Sequence, residues 1–140
     1  MQDLSSKRIL STKDAEKKKL GRAGEEEAVH FLEARGYRIL EKNYRCRLGE
    51  IDLIVEKKRG QESSILFIEV KTRRVLDTVS PLELIPYGKQ YHISRVAQHY
   101  VMTKRCQDIA ADFALLVVDW SGERPVCELI ENAFPLAWGY

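Results

Sequence analysis

Asp52, within Ile51-Asp52-Leu53-Ile54, and Glu69 with Lys71, within Phe67-Ile68-Glu69-Val70-Lys71, are the residues whose types and spacing could do chemistry. Ile65, Leu66, Phe67, Ile68 and Val70 make the run of a central strand covered on both faces. Side chains alternate along a strand, so Glu69 and Lys71 leave one face side by side. Asp52 is the matching irregularity in the strand before it. Charge inside an apolar layer is costly unless it is paired or binds a metal. Two strands that each bring a carboxylate inward therefore point to a site. Helix geometry selects a third carboxylate from Glu25-Glu26-Glu27, since each residue advances about 100°. Glu25 falls beside Ala28, Val29 and Leu32, whereas Glu26 faces away.

The elements that must position these residues follow from pattern. Residues 1–12 are polar, mixed in charge and without apolar period, and read as a loose tail before a domain over 13–140. A helix is predicted over 13–35, where Leu20, Gly24, Ala28, Phe31 and Leu32 recur at helical spacing and Gly36 stands where a left-handed cap belongs. A charged, edge-type strand follows at 37–46. Next come a strand at 49–56, a polar turn at 57–64 containing Gly60, and the strand at 65–72. Ser80-Pro81-Leu82-Glu83 has capping-box form, and Pro86 opens a second helix over 86–104 with Lys89, Ile93, Val96, Ala97 and Tyr100 on one face. Strands at 112–120 and about 125–130 complete the chain, and the apolar tail to Tyr140 packs on the body. Helix, three strands, helix, two strands implies an α/β fold of three layers, α/β/α, around a mixed sheet of about five strands.

With 140 residues, 44% hydrophobic and 31% charged, the chain has the composition of a soluble globular protein. No apolar run reaches the roughly 20 residues of a membrane span, and no signal-peptide core opens it, so a cytoplasmic location is expected. Cys46, Cys106 and Cys127 have no metal-knuckle spacing and are expected as reduced thiols. His30, His92 and His99 also lack ligand spacing. The net charge of +2 is modest, but basic residues gather at 17–22, 35–47 and 71–74.

Several ordered motifs together carry a resemblance. Gly21-Arg22-x-Gly24-Glu25-x-x-Ala28, Leu32-Glu33-x-x-Gly36-Tyr37-Arg38-Ile39-Leu40, Asn43-Tyr44-Arg45, Gly49-Glu50-Ile51-Asp52-Leu53-Ile54 and Phe67-Ile68-Glu69-Val70-Lys71-Thr72-Arg73 resemble the YraN-like proteins. These small bacterial proteins are assigned to the PD-(D/E)xK, or restriction-endonuclease-like, nuclease superfamily, similar in core to archaeal Holliday-junction resolvases. The likeness continues through Ser80-Pro81-Leu82-Glu83, Lys89, Ala97 and Asp112, and departs at Asp77-Thr78-Val79, where the family commonly has a glycine. It implies a nuclease-like core with Glu25, Asp52, Glu69 and Lys71 in the catalytic positions.

The chemistry of these side chains agrees with that likeness. Phosphodiester hydrolysis calls for a metal that polarises phosphate and activates water, and a group to serve that water. Mg²⁺, or Mn²⁺, takes oxygen ligands, which suits Asp52, Glu69 and the Val70 carbonyl, with Glu25 direct or through water. Lys71 would orient or deprotonate the water, and Lys89 would meet a phosphate. Arg45, Arg47, Arg73 and Arg74 are placed to hold a nucleic-acid backbone, as alternatives to a merely solvated rim. The expectation is an Mg²⁺-dependent DNA endonuclease, with DNA favoured over RNA and branched or single-stranded forms in view, since no base-reading motif is visible. A homodimer is compatible with it. A nucleic-acid-binding protein without turnover, and an interaction module with structural carboxylates, are the competing classes.

Overall fold

The structure is a computed structural model and describes residues 4–73, 83 and 85–135. The elements run α1 (Leu4–Ala34), β1 (Arg38–Cys46), β2 (Gly49–Arg59), β3 (Glu62–Arg73), α2 (Tyr87–Thr103), β4 (Ala110–Asp119) and β5 (Val126–Glu131). The five strands form one sheet in the order β1-β2-β3-β4-β5. Every neighbouring pair is antiparallel except β3 and β4, which are parallel and joined through α2. This is the expected α/β architecture, with a mixed sheet and a helix on each face.

Alternation in the two central strands creates two apolar layers. Ile65 and Phe67 of β3, with Phe113, Leu115 and Val117 of β4, meet Ile93, Val96, Ala97 and Tyr100 of α2. Leu66, Ile68, Leu116 and Val118 turn the other way, toward Ala28, Val29 and Leu32 of α1. Tyr100 stands edge-on to both Tyr44 and Phe67, which anchors α2 across β1 and β3. Beyond β5 the chain returns: Ala133 donates its N–H to the Phe113 carbonyl, and Phe134 stacks on Phe113 with ring centroids 4.6 Å apart.

Two expected boundaries move. The helix begins at Leu4 and not near residue 13, so residues 4–12 are helical in backbone. The first twenty residues contain no glycine or proline, so nothing there interrupts a helix, even without an inward stripe. The polar stretch 57–64 is mostly strand, because β2 and β3 pair as far as Arg59 with Glu62 and leave only Gly60-Gln61 as the turn. Gly60 has φ +62°, a value that suits a two-residue hairpin turn. Polarity marked solvent exposure there, not the end of pairing.

Other features stand as read. Gly36 has φ +86°, the Tyr37 N–H donates to the Leu32 carbonyl and the Gly36 N–H to that of Glu33, the paired bonds of a Schellman cap. β1 lies at the sheet edge, as expected. The capping-box residues Ser80, Pro81 and Leu82, together with Arg74 and residues 136–140, lie outside the described residues. Among the described residues no helix is long and apolar enough to cross a membrane.

Candidate functional site

The site forms where β2 and β3 come apart. Their backbone pairing runs from Arg59 with Glu62 to Leu53 with Ile68 and stops before Asp52 and Glu69. Strand β2 also changes phase there: Ile51 and Ile54 belong to the α2 layer, whereas Leu53 and Val55 belong to the α1 layer. At the break the Asp52 carboxylate takes the place of a strand carbonyl, accepting the Val70 N–H at 2.8 Å. The N–H and C=O of one strand residue leave on the same side, so the Val70 carbonyl is turned toward the same gap.

Glu69 lies on the α2 side in the row Phe67, Glu69, Lys71, and only 7% of its surface is exposed. Its Oε1 receives two ammonium groups, Lys89 Nζ from the first turn of α2 at 2.6 Å and Lys71 Nζ at 3.5 Å. The lysine inside the helical stripe therefore reaches the site. Burial works against the charge on Lys89, but its bond to Glu69 prevails and its pKa is raised. Lys71 is lowered, by burial first and then by Lys89 beside it. Of the two, Lys71 is the amine more readily deprotonated.

Asp52 has no ion-pair partner among the described residues. Burial, and then the charge of Glu69, push its carboxyl up to about 7 against the pull of the Val70 N–H; Glu25 adds to the rise. Glu25 approaches from α1, half-buried, where Asn43 Nδ2 donates to its Oε2 at 3.5 Å. Among the described residues no three His, Cys, Asp or Glu side chains gather at metal-holding distance. The oxygen atoms that do come together are those of the Asp52 and Glu69 carboxylates beside the Val70 backbone, with Glu25 near enough to act on Asp52 by its charge. These are oxygen donors alone, the donor type that a hard cation such as Mg²⁺ takes in general. Glu26 is exposed, yet it lines the same groove of about 290 Å³ as Glu25, between α1 and β1, so it does not face wholly away.

The arginines divide. Arg73 is mostly buried, 3.4 Å from Asp119, an anchorage that removes it from an open rim. Arg45 is exposed but held by Glu50 at 2.9 Å. Arg47 is exposed. Sequence reasoning missed Asn43, which has φ +51° inside a strand and whose side chain donates to Glu25. The signal available was its type, since asparagine tolerates the left-handed region better than most residues. It also missed Asp119, which announces itself only through the parallel pairing of Arg73 with Asp119.

A family model described as "Uncharacterised protein family UPF0102" matches residues 24–118. The chain belongs to that family. UPF0102, the YraN-like family, is part of the restriction-endonuclease-like superfamily, and the α/β sheet with two helices is consistent with that fold. A UPF0102 protein of Caldicellulosiruptor saccharolyticus is 42% identical over 120 residues, covering 84% of this chain and 98% of its own. One from Syntrophus aciditrophicus is 42% identical over 119 residues, 85% of this chain and 91% of that one. One from Dictyoglomus turgidum is 39% identical over 119 residues, 84% and 98% respectively. The match from residue 24 to residue 118 takes in Glu25, Asp52, Glu69, Lys71 and Lys89.

Proposed function

We propose that this UPF0102 protein is a divalent-cation-dependent endonuclease that hydrolyses phosphodiester bonds in DNA. The observation that carries this reading is the convergence of Asp52, Glu69 and the Val70 backbone at the gap between β2 and β3, with Lys71 beside them. Mg²⁺ or Mn²⁺ bound there would polarise the phosphate and lower the pKa of a water. Asp52, Glu69 and the Val70 carbonyl would hold the ion, and Glu25 would reach it through water. Lys71, its pKa already lowered, takes the proton of the attacking water or orients it. Lys89, released from Glu69, meets a phosphate oxygen, and Arg47 extends the basic surface beyond the site.

One observation favours a second reading. Lys89 sits 2.6 Å from Glu69, so an ammonium can neutralise this carboxylate in place of a metal, leaving a nucleic-acid-binding protein without turnover. Incubation with single-stranded, duplex, flapped and four-way DNA in Mg²⁺, Mn²⁺ and EDTA separates the two. Cation-dependent cleavage is expected, lost in Asp52→Asn, Glu69→Gln and Lys71→Met. The rise in melting temperature on adding cation is expected to vanish in the first two and to persist in Lys71→Met. Binding indifferent to EDTA, without cleavage of any substrate, would transfer the conclusion to the second reading.

A further inference from the structure

The side of α2 turned away from the sheet has a composition that the site does not account for. Its buried residues are Ile93, Ser94, Val96, Ala97 and Tyr100. At about 100° per residue, Tyr87, Tyr91 and Arg95 follow one another along the opposite side. Tyr87 is 73% exposed, the most exposed large hydrophobic residue among those described. Arg95 lies over the Tyr91 ring, 5.9 Å from its centroid, and donates from Nη1 to the Tyr91 hydroxyl at 3.3 Å. The ring of exposed His92 stands edge-on to Tyr91. The whole helix, residues 87–103, contains no aspartate or glutamate. Lys89, in the same first turn as Tyr87 but on the other side of the helix, touches Glu69, so the aromatic surface and the site share one end of α2.

An exposed tyrosine and a half-buried one, interleaved with cations on a helix free of carboxylates, suit a strand whose bases are unpaired: phosphates are drawn to the cations and bases stack on the rings. Duplex DNA keeps its bases stacked inside and offers such rings little. We propose that Tyr87 and Tyr91 form a stacking platform for unpaired bases, so that the DNA served by this site carries a single-stranded segment. The link from this surface to cleavage rests on the nuclease reading, whereas the binding rests on the surface of α2 alone.

Fluorescence anisotropy with labelled DNA in EDTA tests it, using a single strand, a blunt duplex and an abasic strand that keeps the phosphates without the bases. Tyr87→Ala and Tyr91→Ala are each expected to weaken single-strand binding about tenfold, the size of one lost stacked base. Tyr87→Trp should retain it. Binding of the blunt duplex and of the abasic strand should stay at the wild-type level, and unchanged melting temperatures would show the variants folded. Wild-type affinity of both alanine variants for the single strand would overturn the platform, as would an equal loss on the abasic strand. Cleavage in Mg²⁺, measured in parallel, keeps the two conclusions apart. Absence of cleavage on every DNA with the base-dependent binding intact would remove the nuclease alone. Cleavage without any base-dependent contrast would remove the platform alone.

Discussion

Asp52 gives the metal-free protein a stability that depends on pH with a definite sign. Its folded-state carboxyl is pushed up to about 7, whereas an unfolded aspartate titrates near 3.8. Between those values the native state holds a proton that the unfolded state has released, so stability falls as pH rises, by at most about 1.4 kcal/mol per pH unit. Asp52→Asn keeps an acceptor for the Val70 N–H and removes the charge. Denaturation in EDTA should find the variant more stable than wild type at pH 8, with the difference closing toward pH 4. A difference independent of pH would mean that Asp52 is not the titrating group. Lys89 leads to a prediction of the other kind. An ammonium 2.6 Å from Glu69 competes with any cation for the same oxygen, so Lys89→Met should lower the Mg²⁺ concentration needed to raise the melting temperature. DNA binding in EDTA should weaken in the same variant. Poorer Mg²⁺ response in Lys89→Met would show that the lysine organises the site instead of guarding it.

The placement of α1 depends on a close approach that glycine alone permits. A methyl group on Gly24 would meet Thr72 Oγ1 of β3 at a distance no Cβ tolerates. Gly24→Ala must therefore turn the Thr72 side chain or move α1 off β3, at a cost of about 1–3 kcal/mol. Urea denaturation should show that loss, and Thr72→Ala in the same chain should recover much of it as a favourable coupling. Additive losses would place the strain elsewhere. The neighbouring Glu25 should lose its approach to Asp52 in the single variant. At this scale much was legible in the sequence. The two-faced apolar runs of β3 and β4, the helical stripe of α2 with Lys89 among its members and the Gly36 cap are all local patterns, and local patterns survive in a linear chain. The gap between β2 and β3, the phase change of β2 and the clasp of Asp119 on Arg73 are relations between distant segments. Alternation alone put Asp52 on a face of the sheet, whereas the carboxylate bonds edgewise to the Val70 backbone.

For the molecule as a whole, if DNA is the partner as proposed, its salt dependence would be set by the arrangement of free cations and not by a net charge of +2. Because Arg73 is anchored by Asp119 and Arg45 by Glu50, Arg47→Ala should flatten the slope of log affinity against log salt by about one, and Arg73→Ala by less. A larger change for Arg73→Ala would mean that Asp119 releases it to the nucleic acid. The sequence ranked these arginines alike because their partners lie in other strands. The edges of the sheet have a consequence of another kind, for life in a crowded solution. On one side, β1 carries an extra residue, Leu40, between its pairings of Ile39 with Val55 and Glu41 with Ile54, then Asn43 at φ +51° within a charged run. On the other, β5 is six residues long and ends in a glutamate. Neither edge offers a long, flat row of backbone donors and acceptors to another chain. Copies of this protein should therefore resist joining edge to edge into aggregates.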